Sequence, residues 1–81
     1  MTRLTRRQLY QRRSGLTQRQ LAQVLGLSVG QVNGLLQGHK GRAPRPRTRQ
    51  AMRRMAALLG VSAQALWGPQ SLRPIRWTEY P

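Results

Sequence analysis

The sequence predicts an all-α domain of five short helices followed by an extended C-terminal arm. Three observations predict it. Ser or Thr stands immediately ahead of four of the five apolar-periodic runs (Thr5, Thr17, Ser28, Ser62), where an N-cap belongs. Glycine closes each run, at Gly15, Gly26, Gly38, Gly60 and Gly68. Inside the runs the apolar residues recur at three- and four-residue spacing, the period of a helix with one buried side.

Residues 1–4 precede the first cap and are expected to fray. Thr5 caps a first helix through about Arg13, with Leu9 and Tyr10 facing inward, and Ser14-Gly15 ends it. Thr17 opens a second helix to about Leu25, and Gln20 three residues on completes a capping box. Gly26 sits where a helix C-terminus favours a left-handed residue. Ser28 then caps a third helix to about Gln37, with Gln31 in the same capping-box position, and Gly38 ends it. Residues 39–47, HKGRAPRPR, read as a loop because Gly41 and two prolines break any helix. Arg47 or Thr48 opens a fourth helix to about Leu59, with Met52, Met55, Ala56 and Leu59 at i, i+3, i+4 and i+7. Ser62 caps a short fifth helix holding Leu66 and Trp67, closed by Gly68-Pro69. The chain thus divides into a domain over residues 1–69 and an arm over residues 70–81, the arm extended and able to form a short strand.

An 81-residue chain has room for one domain with a small core. It has no Cys, so neither disulfides nor thiolate metal sites are available, and the composition suits the cytoplasm. Fifteen Lys and Arg face one acid, Glu79, for a net charge of +14. Such self-repulsion favours a polyanionic partner. All the cations but Lys40 are Arg, whose planar fork binds phosphate bidentately and stacks on flat groups. A genomic bias toward Arg would raise the Arg count, but it would not remove the acids. Nucleic acid is the expected partner.

Other classes fit poorly. No apolar run approaches the roughly 20 residues of a membrane span, and no signal-peptide core stands at the N-terminus. One carboxylate, one histidine (His39) and no Cys supply neither an acid/base pair, a triad nor a metal site, so an enzyme, a cofactor or a metal is not expected. The domain is also small for a separate effector pocket.

Residues 17–38 carry the most information. Leu21, Ala22, Leu25, Leu27, Val32 and Leu35 hold two short helices together across the turn at Gly26. That spacing leaves one side of the second helix of the pair without a packing duty. A short helix presented in this way fits the major groove of DNA.

The motif resembles the phage-repressor or Cro-like (XRE-type) helix-turn-helix family. The matching residues are Thr17-Gln18, Leu21-Ala22, Leu25-Gly26-Leu27-Ser28, Val32 and Gly38, then Leu59-Gly60-Val61-Ser62 and Leu66. The resemblance covers about three quarters of the chain. It implies a five-helix domain whose third helix enters the major groove, commonly as a homodimer on an inverted-repeat operator that represses transcription. By the same resemblance, Val29, Gly30, Asn33 and Gly34 fall on the base-reading positions. Asn33 suits adenine and Val29 a thymine methyl, while Gly30 and Gly34 offer only close backbone approach. Long polar side chains often fill these places in the family, so the glycines are a departure, as is Leu36 in place of a polar residue. Thr17, Gln18, Ser28, Gln31 and Gln37 match or adjoin backbone-contacting positions. For Gln18 the plainer alternative is an ordinary first-turn residue.

Lys40, Arg42, Arg45 and Arg47 follow the third helix and read as a phosphate clamp, against the alternative of a solvated loop. Arg3, Arg6, Arg7, Arg12 and Arg13 either flank the duplex or face solvent, and His39 is a cap or a phosphate donor. In the arm, Leu72, Ile75, Trp77 and Tyr80 suggest a dimerisation segment, against the equal alternative of a tail folded over its own domain. The leading function is a sequence-specific double-stranded DNA-binding repressor. The alternatives are an antitoxin-type interaction module that also binds DNA, and a non-specific nucleic-acid-coating protein.

Overall fold

The computed structural model describes residues 4–38 and 44–79. Five helices run in order: α1 (Arg6–Arg13), α2 (Gln18–Leu25), α3 (Val29–Gln37), α4 (Pro46–Leu59) and α5 (Ala63–Trp67). Two 3-10 turns follow, Pro69–Leu72 and Trp77–Glu79. Among the described residues there is no strand, only an isolated antiparallel bridge between Thr5 and Pro74.

The caps explain the helix starts. Thr5, Thr17 and Ser28 each accept from the amide three residues on, and Gln8, Gln20 and Gln31 return the bond to the cap amide, giving three full capping boxes. Gly26 ends α2 at φ +68°, the left-handed conformation that lets the chain reverse into α3 without a Cβ penalty.

α4 begins earlier than the sequence suggests. Pro46 occupies its first turn and Arg45 its N-cap, with no side-chain cap bond. Proline is a breaker inside a helix but suits the first position, where its missing amide has no partner to lose. The apolar side of α4 matches expectation at Met55, Ala56 and Leu59 and differs at its start. Ala51, Met55, Ala56 and Leu59 are buried while Met52 is only half-buried, its carbonyl accepting the Trp67 indole N–H at 2.7 Å.

The main core joins α2, α3, α4 and α5 through Leu21, Ala22, Leu25, Val32, Leu36, Met55, Ala56, Leu59 and Leu66. Burial of these aliphatic side chains, at roughly 1.5–3 kcal/mol each, is what locks α2 against α3. Leu36 reaches this core from the α3 side, where a polar residue could not be satisfied as cheaply.

A second cluster of Leu4, Leu9 and Ile75 ties the tail to α1. The Ile75 amide donates to the Leu4 carbonyl at 3.1 Å, and Arg6 pairs with Glu79 at 3.3 Å. The expected extended arm is therefore corrected: the tail turns twice and lies back on its own chain. Ile75, one of four residues expected at a dimer contact, is 5% exposed within this chain's own packing. Leu72 and Trp77 stay exposed, at 40% and 83%. Tyr80 lies outside the described residues.

Candidate nucleic-acid interface

α3 has two sides of different character. Val32 and Leu36 are fully buried, which fixes the helix to the core. Val29, Gly30 and Gln31 in its first turn are exposed, with Val29 at 46%, while Asn33 and Gly34 are half-buried. Val29 is one of several singly exposed apolar side chains, with Val24 and Leu58. A Cβ built on Gly30 meets nothing nearer than the Ser28 hydroxyl at 3.9 Å. The local packing therefore does not demand glycine there.

The capping boxes also shape the chemistry offered outward. Thr17 Oγ1 and Ser28 Oγ accept from the Gln20 and Gln31 amides at 3.1 and 3.0 Å. Gln20 Oε1 and Gln31 Oε1 accept from the Thr17 and Ser28 amides at 2.9 and 2.8 Å. Each box engages one acceptor on each of its side chains. What remains for an outside partner is mostly donors: two hydroxyl hydrogens and two amide NH₂ groups. Phosphate oxygens only accept, so both helix starts are matched to a phosphodiester backbone. Helix N-termini add the positive end of their dipoles to the same two places. Gln18, half-buried in the first turn of α2, stands beside the first of them.

Arg45 and Arg47 are exposed and share one depression with Gly26, Leu27, Gln31, Leu35, Pro44 and Thr48. The fold thereby brings the α2–α3 turn, the first turn of α3 and the start of α4 around one hollow. Gln37 is half-buried at the far end of α3. Lys40 and Arg42, two of the expected clamp residues, lie outside the described residues, as does His39.

The arginines of α1 do not act as a group. Arg12 and Arg13 are exposed. Arg6 is engaged by Glu79, the chain's one acid. Arg7 points into the protein. Its Nη1 donates to the Leu35 carbonyl at 2.8 Å, and its Nε to the Leu66 carbonyl at 3.0 Å and the Ser71 hydroxyl at 2.8 Å. The guanidinium carbon lies 4.8 Å from the Trp67 ring centroid. Burial lowers the Arg7 pKa, yet a guanidinium starts so high that it stays charged at neutral pH. Sequence reasoning did not separate Arg7 from its neighbours. The available signal was its position three residues before Tyr10, one turn away on the same side of α1. On α4, Arg49 and Arg53 stand one turn apart beside Pro46 and Gln50, a cationic strip that sequence reasoning did not single out.

No helix among the described residues is long and apolar enough to cross a membrane. No curated protein and no solved structure matches the chain. Residues 4–66 match the family model of a helix-turn-helix domain, which spans α1 to α5 and the whole hollow. The protein belongs to the helix-turn-helix domain family, whose members are typical of DNA-binding regulators.

Proposed function

We propose that this protein is a sequence-specific double-stranded DNA-binding regulator that acts as a repressor, as a homodimer on an inverted-repeat operator. The observation that carries the reading is α3 itself. Its Val32–Leu36 side is fixed in the core while its first turn is exposed, begins at the donor-rich Ser28–Gln31 cap and shares one hollow with Arg45 and Arg47. In this reading Val29 and Asn33 read base edges, and Gly30 and Gly34 bring the helix backbone close to them. Thr17, Gln18, Ser28, Gln31, Gln37, Lys40, Arg42, Arg45 and Arg47 hold the sugar-phosphate backbone. Leu72 and Trp77 are the exposed contacts of a dimerisation segment within residues 70–81. Repression follows from occlusion, since no separate activating surface is needed for it.

Selection of bound duplexes from a random pool tests the reading, and a palindromic consensus is the expected product. On that consensus, Asn33→Ala should lose about 1–3 kcal/mol of binding with little change on random duplex. Replacing Arg45 and Arg47 together by Gln should weaken both duplexes alike and flatten the salt dependence by about 0.9 in log–log slope per lost phosphate contact. A selected pool no different from the input would refute sequence-specific recognition and favour a coating protein.

A further inference from the structure

We infer that Arg7 is a positioning residue for recognition: by holding the C-terminal end of α3 it sets how well the protein discriminates among duplexes, not how tightly it holds DNA in general. The inference rests on the DNA-binding reading of α3.

The geometry is that of a staple joining two helix ends. Carbonyls in the last turn of a helix lack intrahelical partners. Two of them at the end of α3 are taken by α1: Leu36 O by the Thr5 hydroxyl at 2.9 Å and Leu35 O by Arg7 Nη1 at 2.8 Å. The same guanidinium uses Nε to hold the Leu66 carbonyl at the end of α5. Its charge thus lies at the negative ends of two helices, and Trp67 covers it. Ser71 completes the grip. It is fully buried, accepts from Arg7 Nε and donates to the Gly68 carbonyl at 2.6 Å. Among the described residues no other arginine is bound on so many sides.

α3 needs such a grip more than most helices do. It is nine residues long and includes two glycines, each of which weakens a helix. Its reading surface carries few side chains, chiefly those of Val29 and Asn33. Discrimination then depends on where the backbone stands in the groove, and a site of this kind must be held to about half an ångström. Phosphate contacts from flexible exposed side chains tolerate a larger error. The planar fork of Arg serves two directions at once, whereas the ammonium of Lys is a point charge on a flexible stem. Charge alone is therefore not enough at position 7.

The test compares the full-length protein with Arg7→Lys on its selected duplex and on random duplex, below the melting temperature of each. Arg7→Lys should lower the preference for the selected duplex by about tenfold, the size of one mismatched base pair. Affinity for random duplex and the salt slope should stay as in the parent. Ser62→Ala serves as the comparator: it removes the α5 cap bond to the Ala65 amide, which involves neither Arg7 nor α3, and should lower the melting temperature while leaving the preference intact. If Arg7→Lys fails to fold, Ser71→Ala is read in its place, with a smaller loss of preference in the same sense. The inference is overturned if the folded variant keeps the parent's preference, if it weakens both duplexes equally, or if Ser62→Ala produces the same loss. A parent protein with no preference at all removes the DNA reading first, and this inference with it.

Discussion

Gly30 is the residue at which stability and recognition are set against each other. It lies in the first turn of α3, and a Cβ there would project into open space, with the Ser28 hydroxyl at 3.9 Å as its nearest neighbour. Its backbone is not in the left-handed region, since the positive-φ glycines are Gly15, Gly26, Gly38 and Gly60. Nothing in the described packing calls for glycine at this place, and alanine should stabilise the helix by about 0.5–1 kcal/mol. If the α3 backbone approaches base edges closely, the same methyl group would stand between them. Gly30→Ala is therefore expected to raise the melting temperature while weakening binding to the selected duplex. Calorimetry and fluorescence anisotropy on one preparation check both signs, and a variant improved in both would remove close approach as the reason for the glycine. Gly38 presents the opposite case. At φ +71° it cannot take a side chain without strain, and a Cβ there would collide with the Leu72 side chain. The residue type is the same at both positions, and only the three-dimensional surroundings separate them.

At the scale of elements, what the sequence revealed follows the range of the interactions involved. Capping is local, so the starts of α1, α2, α3 and α5 were legible from Thr5, Thr17, Ser28 and Ser62, and the glutamines at 20 and 31 marked two capping boxes. The start of α4 was misread by one or two residues because Pro46 carries opposite meanings inside a helix and at its first turn. The extended reading of the tail failed for a different reason, while its equal alternative, a tail folded over its own domain, holds. Alternating Ile75 and Trp77 look like one face of a strand, but Ile75 is committed to Leu4 and Leu9, more than sixty residues away in sequence, and Trp77 opens a 3-10 turn. Arg7 was hidden in the same way, because its partners at 35, 66 and 71 come together only in the fold. A local pattern can show that a segment has an apolar side; it does not show which distant surface covers it. The tail's contribution can be measured. Ile75→Ala removes most of a side chain that is 5% exposed and should cost about 2 kcal/mol, at the low end for such truncations because the cluster is small and peripheral. Chemical denaturation reads the loss, and an unchanged midpoint would mean that the tail adds little to the fold.

For the whole molecule the deciding quantity is charge. The chain carries a net charge of +14, its described residues span only 35 × 25 × 24 Å, and its single acidic side chain is already paired with Arg6 at 3.3 Å. The Debye length is about 30 Å at 0.01 M salt and about 10 Å at 0.1 M. At the lower concentration nearly every arginine repels every other; at the higher one only neighbours do. Stability should therefore rise with added salt, most steeply over that interval, where many proteins change little. A gain of about 1 kcal/mol would appear as a melting temperature higher by about 4–8 °C in a domain of this size. DNA binding must respond in the opposite sense, because salt removes the counterion release that drives it. Self-association sides with stability. Two protomers meeting, as proposed, through Leu72 and Trp77 would double the charge, and each brings a single acidic side chain, already paired with Arg6, against fifteen cations. Sedimentation without DNA should show monomers at low salt and a growing dimer fraction as salt is raised, while a palindromic duplex, itself a polyanion, should assemble two copies at low salt. A dimer that is tight at 0.01 M salt and dissociates as salt is added would mean that attraction between unlike charges holds it, which this composition does not supply.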